Sequence, residues 1–247
     1  MIRQAVTQDI PRMREIYMIA RRFMMETGNP NQWAKGYPPQ DIHAAEIRNG
    51  QGFVDVKGGV IHGVFSFMLG EDPTYAVIED GEWLNNEPYG TMHRIASSGE
   101  YKGMMGEYVA YCEKELKKRK ICNLRGDTHA DNRIMQHLFE KYGFKRCGII
   151  HLANGAPRIA YQKVLSNDSG LYCSCNGKYG LSERGNFEMC PVCGKYEFTE
   201  RGGFEICPVC GWEDDPVQRR EPDYAGGANK MSLNEAKQMW GKKEISS

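Results

Sequence analysis

Six of the nine cysteines, Cys173, Cys175, Cys190, Cys193, Cys207 and Cys210, fall within forty positions of one another. Cys190-Pro191-Val192-Cys193-Gly194 and Cys207-Pro208-Val209-Cys210-Gly211 are two copies of one pentapeptide, with thirteen residues between their CxxC turns. That spacing lets two CxxC knuckles face each other and set four thiolates tetrahedrally around one zinc ion. Cys190, Cys193, Cys207 and Cys210 are therefore the expected metal ligands. Four sulfurs leave no open coordination position, so the expected zinc is structural. Buried inert thiols would leave the repeated pentapeptide unexplained. The repeat extends further, because Cys173, Gly177, Lys178, Tyr179 and Glu183 recur seventeen positions on at Cys190, Gly194, Lys195, Tyr196 and Glu200. The copy at 173–189 is degenerate, with Asn176 where the next copy has Cys193.

A second constellation lies upstream. Gly99-Glu100-Tyr101-Lys102-Gly103-Met104-Met105-Gly106 joins an expected strand to an expected helix. Free N–H groups and the positive dipole end at such a start suit a pyrophosphate. A glycine-bearing turn can equally serve steric needs alone. Asp127-Thr128-His129-Ala130-Asp131-Asn132-Arg133 precedes a helix that closes on Tyr142-Gly143-Phe144.

The elements that must position these residues are legible from period and punctuation. A strand opens the chain at 1–6. A helix follows Thr7 and Asp9, both good caps, with Pro11 in its first turn and an apolar stripe at Ile10, Met13, Ile16, Tyr17, Ala20, Phe23 and Met24. Further expected elements are a helix over 39–48, strands over 52–56 and 60–69, and a long loop to Tyr89. Then come a strand over 90–96, a helix over 103–119, a strand over 121–127, a helix over 132–142, and strands over 144–151 and 158–164. Alternation of this kind implies a mixed α/β sheet flanked by helices. Residues 1–165 are read as one domain, 166–172 as a polar linker and 173–247 as a small cysteine domain.

Composition bounds the rest. Lys plus Arg and Asp plus Glu both number 32, so there is no global field for a polyanion. Residues 173–240 hold eight basic and eleven acidic residues, which opposes nucleic-acid binding by the cysteine module. The run Lys114 to Lys120 holds five basic residues and reads as a solvated helix end. No apolar run approaches a membrane span. The opening residues lack the pattern of a signal peptide, so a cytoplasmic protein is expected, where clustered thiols point to metal rather than disulfides.

In motif order and spacing, the loop at 99–106, the run 127–135 with its helix, the opening Ile2-Arg3-Gln4-Ala5 and the strand His93-Arg94-Ile95-Ala96 resemble the GNAT N-acetyltransferases across residues 1–165. The resemblance implies a GNAT fold that transfers an acetyl group from acetyl-CoA to a small-molecule or peptide amine by direct attack, with no acyl-enzyme. It implies that the pyrophosphate rests on Tyr101, Lys102, Gly103, Met104, Met105 and Gly106. Asn132 would bond the pantetheine arm, and a backbone N–H near the end of the His93 strand would hold the oxyanion. Phe139 fills the place of the family's acid tyrosine, and Tyr142, three residues on, is the substitute. The amine must lose a proton, for which His93 and Glu79, in the acidic loop, are candidates. A loop carboxylate is usually solvated, and a lone strand histidine is usually structural. Trp83 and Tyr89 suit either a substrate pocket or core packing.

Residues 190–240, with Trp212-Glu213-Asp214-Asp215 and Pro222-Asp223-Tyr224-Ala225-Gly226-Gly227, resemble the cysteine-rich CPCC family. That resemblance implies a zinc-ribbon or rubredoxin-like fold, with Val192 where the family has a third cysteine. It also leaves room for a protein partner. The alternative function is an acyl-CoA-binding or protein-binding adapter without strong catalysis, in which the zinc domain carries recognition.

Overall fold

The computed structural model describes residues 1–33, 36–165, 188–198 and 204–245. The expected linker, the degenerate repeat copy except its last two residues, and Cys173 and Cys175 lie outside them. The chain divides into two compact units. The first holds Met1–Asn132 and residues 144–165. The second holds Arg133–Gly143 with the described residues from 188 on.

In the first unit, β1 (Ile2–Gln4), α1 (Ile10–Glu26), α2 (Gln40–Arg48), β2 (Gly52–Lys57), β3 (Val60–Leu69), β4 (Tyr89–Ser97), α3 (Met104–Lys118) and β5 (Asn123–Thr128) follow in chain order. Helix α4 (Arg133–Lys141) intervenes before β6 (Lys145–His151) and β7 (Pro157–Val164). The seven strands form one sheet in the order β1-β2-β3-β4-β5-β7-β6. Only β4 and β5 run parallel.

Strand alternation divides the core. Val54 pairs with Val64 and Phe53 with Phe65, and successive residues face opposite sides of a sheet. Val54 and Val64 pack with Met13, Ile16 and Tyr17 of α1. Phe65 stacks on Tyr108 of α3 at 4.7 Å between ring centres. Helices α1 and α3 thus cover the two faces. The expected caps of α1 act differently. Thr7–Asp9 form a short 3-10 turn. The Asp9 carboxylate accepts from both Arg3 nitrogens at 2.6 and 2.9 Å and from the Val6 N–H at 2.8 Å, rather than capping the helix. A guanidinium presenting two parallel donors outcompetes the helix-end amides for the same oxygens.

In the second unit, β8 (Glu188–Met189) pairs with β9 (Glu197–Phe198), and α5 (Pro216–Arg220) and α6 (Leu233–Ile245) follow. The sequence reading named neither helix. Phe198, Trp212, Leu233 and Ala236 make a small core with Cys190 and Cys207. Asp215 accepts from the Val217 and Gln218 N–H groups to start α5, and from Ala228 N at 2.9 Å. The buried Gln218 amide donates to the carbonyls of Tyr224, Asn229 and Met231. Helix α4 is tied to this unit by Arg133–Glu221 at 2.6 Å, His137–Asp215 at 2.9 Å and Lys141–Glu213 at 3.1 Å. No helix among the described residues is long and apolar enough to cross a membrane.

Candidate active site and candidate metal centre

The ladder between β4 and β5 runs from Tyr89↔Asn123 only to Met92↔Gly126. The next residues, His93 and Asp127, stand at the opening of a fork. His93 Nδ1 lies 3.6 Å from Asp127, and Nε2 lies 3.1 Å from Asp72. The histidine and both carboxylates are only 11–15% exposed. A carboxylate only accepts, so the ring donates from Nε2 to Asp72, while Nδ1, beyond hydrogen-bond reach of Asp127, keeps its lone pair for an incoming proton.

The carboxylates have firm anchors. Asp72 accepts from the Thr74 N–H at 2.9 Å and the Thr74 hydroxyl at 2.7 Å, and its own N–H donates to the Tyr89 hydroxyl at 2.9 Å. Burial works against the Asp72 charge, but the bonds from His93 and Thr74 outweigh it and hold the carboxyl well below the usual carboxylate range. The Tyr75 hydroxyl donates to Asp127 at 2.8 Å. Burial and the neighbouring Asp127 push that phenol well above its ordinary value, so it remains a donor. Arg158 approaches Asp127 at 4.0 Å and donates to the Gln32 carbonyl at 3.3 Å. The Asn132 amide in turn donates to Gln32 Oε1 at 2.7 Å.

Asp72, Tyr75, Arg158 and Gln32 were not picked out from the sequence, and Asp127 was read only as part of the run before α4. Asp72-Pro73-Thr74 is a turn-initiating triplet, which was the available signal for Asp72. Of the two aromatics, Trp83 donates from Nε1 to the Tyr75 carbonyl at 3.0 Å. With Tyr89 it brackets the Arg125 guanidinium, 3.9 Å from each ring centre. Both rings therefore brace the loop that carries Asp72.

Glu79 has its backbone pinned to Ile149 at 2.7 and 2.8 Å. Its carboxylate is 61% exposed and lies 4.0 Å from His151. Tyr142 is half-buried just beyond α4, in the second unit.

Gly103 precedes α3 at φ +77, the left-handed region that glycine enters without strain. The Met104 and Met105 side chains are buried in the core. Their N–H groups open the helix with no preceding turn to bond, which leaves them for a ligand. Lys102 and Tyr101 are exposed beside them, and Glu100 lies 3.4 Å from His62.

Strand β4 also carries a bulge. His93 pairs with Ser66 and Ala96 with Val64, so Arg94 and Ile95 together face Phe65. The extra residue breaks the ladder's alternation and turns peptide groups out of it.

In the second unit the Sγ atoms of Cys190, Cys193, Cys207 and Cys210 all lie within 4.8 Å of one another. Cys190 and Cys210 lie 3.5 Å apart at sulfur, and Cys193 and Cys207 3.6 Å. A tetrahedron with metal–sulfur bonds of about 2.3 Å has edges of about 3.8 Å, so the cluster can hold one metal ion. The two pentapeptides fold alike. Gly194 N donates to the Cys190 carbonyl at 2.9 Å, and Gly211 N to the Cys207 carbonyl at 2.8 Å. Both glycines have positive φ. Val192 packs against the small core, outside the ligand set.

Residues 188–243 match the family model described as cysteine-rich CPCC. No curated protein matches the chain. Among solved structures, the chain is similar to an acetyltransferase of the GNAT family from Streptococcus agalactiae 2603. Identity there is 31%, covering 68% of this chain and 96% of that one, with a TM-score of 0.59. A putative acetyltransferase from Staphylococcus aureus Mu50 is 25% identical over 67% of this chain and 99% of that one, with a TM-score of 0.52. An acetyltransferase of the GNAT family from Listeria monocytogenes 4b F2365 is 21% identical over 67% and 94%, with a TM-score of 0.52, and speaks for the fold alone.

Proposed function

Because the chain belongs to the GNAT family of acetyltransferases, we propose that it transfers an acetyl group from acetyl-CoA to a primary amine by direct attack. The observation that carries this reading is the fork beyond Met92↔Gly126, with His93 and Asp127 facing each other at its opening.

In this reading the loop Tyr101–Gly106 takes the pyrophosphate on the free amides of Met104 and Met105, with Lys102 beside them. Asn132, once it exchanges Gln32 for the cofactor, bonds the pantetheine arm. The peptide groups turned out of the β4 bulge hold the carbonyl oxygen as it becomes negative. An amine reaches the site protonated and must lose that proton before attack. His93 accepts it, while Asp72 and Asp127 hold the ring and stabilise its charge. Glu79 is the more remote candidate for drawing the proton onward. Tyr142 is the proposed donor to the departing thiolate, and water is its competitor. None of the cysteines acts as a nucleophile.

The four cysteines of the tail hold zinc, a closed site that supplies folding energy and no chemistry. Metal-bound reduced thiols suit the cytoplasm, the compartment this reading assigns. The acceptor is a small-molecule or peptide amine, and a protein partner for the cysteine module fits the same reading.

Calorimetric titration with acetyl-CoA tests the binding half, and Asn132→Ala should weaken it several-fold in a folded protein. An amine panel read by release of free CoA tests transfer. His93→Ala should then lower turnover by about 10²–10⁴ with little change in acetyl-CoA affinity. Saturable binding without transfer to any amine would favour an acyl-CoA-binding adapter instead, and no binding at all would sink acetyl transfer and leave the protein-binding adapter.

A further inference from the structure

Arg94 stands at φ +50, a left-handed conformation that long side chains avoid and that glycine or asparagine adopts with less strain. Its place is the β4 bulge, directly after His93. A reason for an arginine here must therefore lie in the side chain. The guanidinium is 15% exposed and reaches Glu46 of α2, which is 5% exposed, through Nη2 and through Nε at 2.7 Å. Nε also lies 3.3 Å from the Ser66 hydroxyl, and that hydroxyl donates to the same Glu46 oxygen at 2.5 Å. Ser66 is the β3 residue paired with His93. One buried triad thus joins α2, β3 and β4 at the bulged residue.

We propose that Arg94 and Glu46 are positioning residues whose buried ion pair locks the β4 bulge, and so fixes the amides of Arg94 and Ile95 for the thioester carbonyl. The inference rests on the acetyl-transfer reading above. The lock matters because side-chain period along a strand is two. Remove the extra residue from the pairing and either His93 leaves the fork or Ala96 leaves the core it shares with Met13 and Val64. Arginine suits the task, since its planar fork spans a carboxylate and a hydroxyl together while lysine offers a single point. A pair buried this deeply is lost only with its partner, so truncating Glu46 strands the arginine and frees the bulge.

The test is nuclear magnetic resonance of the ¹⁵N-labelled full chain, titrated in parallel with acetyl-CoA and with CoA, which lacks the carbonyl. In the parent protein the Arg94 and Ile95 amides should shift with acetyl-CoA and stay nearly still with CoA. In Glu46→Ala that difference should vanish while the Kd for CoA stays within about two-fold. Glu46→Gln keeps a carbonyl acceptor for the guanidinium and should recover most of the difference. Arg94→Lys supplies the same test if Glu46→Ala does not fold, and should lose the difference. Parent protein that binds acetyl-CoA without moving either amide overturns the inference and leaves the proposed function standing. Variants that retain the acetyl-specific shift overturn it as well, as does equal loss of CoA and acetyl-CoA binding, which marks a merely structural pair. Parent protein that binds neither ligand overturns the proposed function and the inference with it.

Discussion

His93 owes its place to two carboxylates from different parts of the chain, and Asp72 is the better anchored. With its pKa depressed in the fold, Asp72 contributes stability that is complete above the unfolded carboxylate value of about 3.9 and is lost as pH falls through the folded value. Asp72→Asn should therefore cost about 1–3 kcal/mol at pH 7. The gap to the parent should shrink as pH falls below about 4. Urea unfolding at pH 7 and pH 3 measures it, and a gap that does not change would show that the Asp72 charge is not what stabilises the loop. Residue types pointed to His93, but not to its partners. Asp72 and His93 are 21 positions apart and Tyr75 and Asp127 are 52 apart, so no local pattern couples them.

Helix α3 is the element through which cofactor binding is most directly testable. A Cβ built on Gly103 meets nothing within 4 Å, so the only penalty of Gly103→Ala is its positive φ. That strain is about 1 kcal/mol. Because the unbound variant loop relieves that strain and must take it up again when it closes on the phosphates, acetyl-CoA affinity should fall about five-fold. Calorimetry checks this, and unchanged affinity would mean that the amides after Gly103 do not hold the phosphates. Strong 3.6 and 2.0 periods made α1 to α4 and β1 to β7 readable in sequence. Helices α5 and α6 were harder. The five residues of α5 show no period, and α6 opens on a capping box that was present as Ser232-Leu233-Asn234-Glu235. There the Ser232 N–H donates to Glu235 at 2.8 Å and the Glu235 N–H to Ser232 at 3.2 Å.

At the scale of the molecule, the metal is the expected staple of the second unit, whose core is small. Metal analysis should find one zinc per chain. A four-thiolate site contributes on the order of 10 kcal/mol, which is folding energy wherever the unfolded chain has no site. Cys207→Ser should release the ion and lower amide exchange protection over residues 188–245. Protection should fall over 133–143 too, because α4 is held there by Glu221, Asp215 and Glu213. Protection lost only in the tail would separate α4 from the metal, and zero zinc in protein purified without chelator would remove the centre. The four-cysteine cluster was legible in the sequence alone, since CxxC knuckles are local turns whose glycines and spacing are written contiguously. The glycine-bearing turn before α3 was legible for the same reason. Only the tertiary structure decided that β4 bulges at Arg94, that Glu46 closes over it, and that Asp72 and Asp127 meet on His93. Those arrangements depend on strand register and on buried polar groups that must find partners, and both are properties of contacts between segments far apart in the chain.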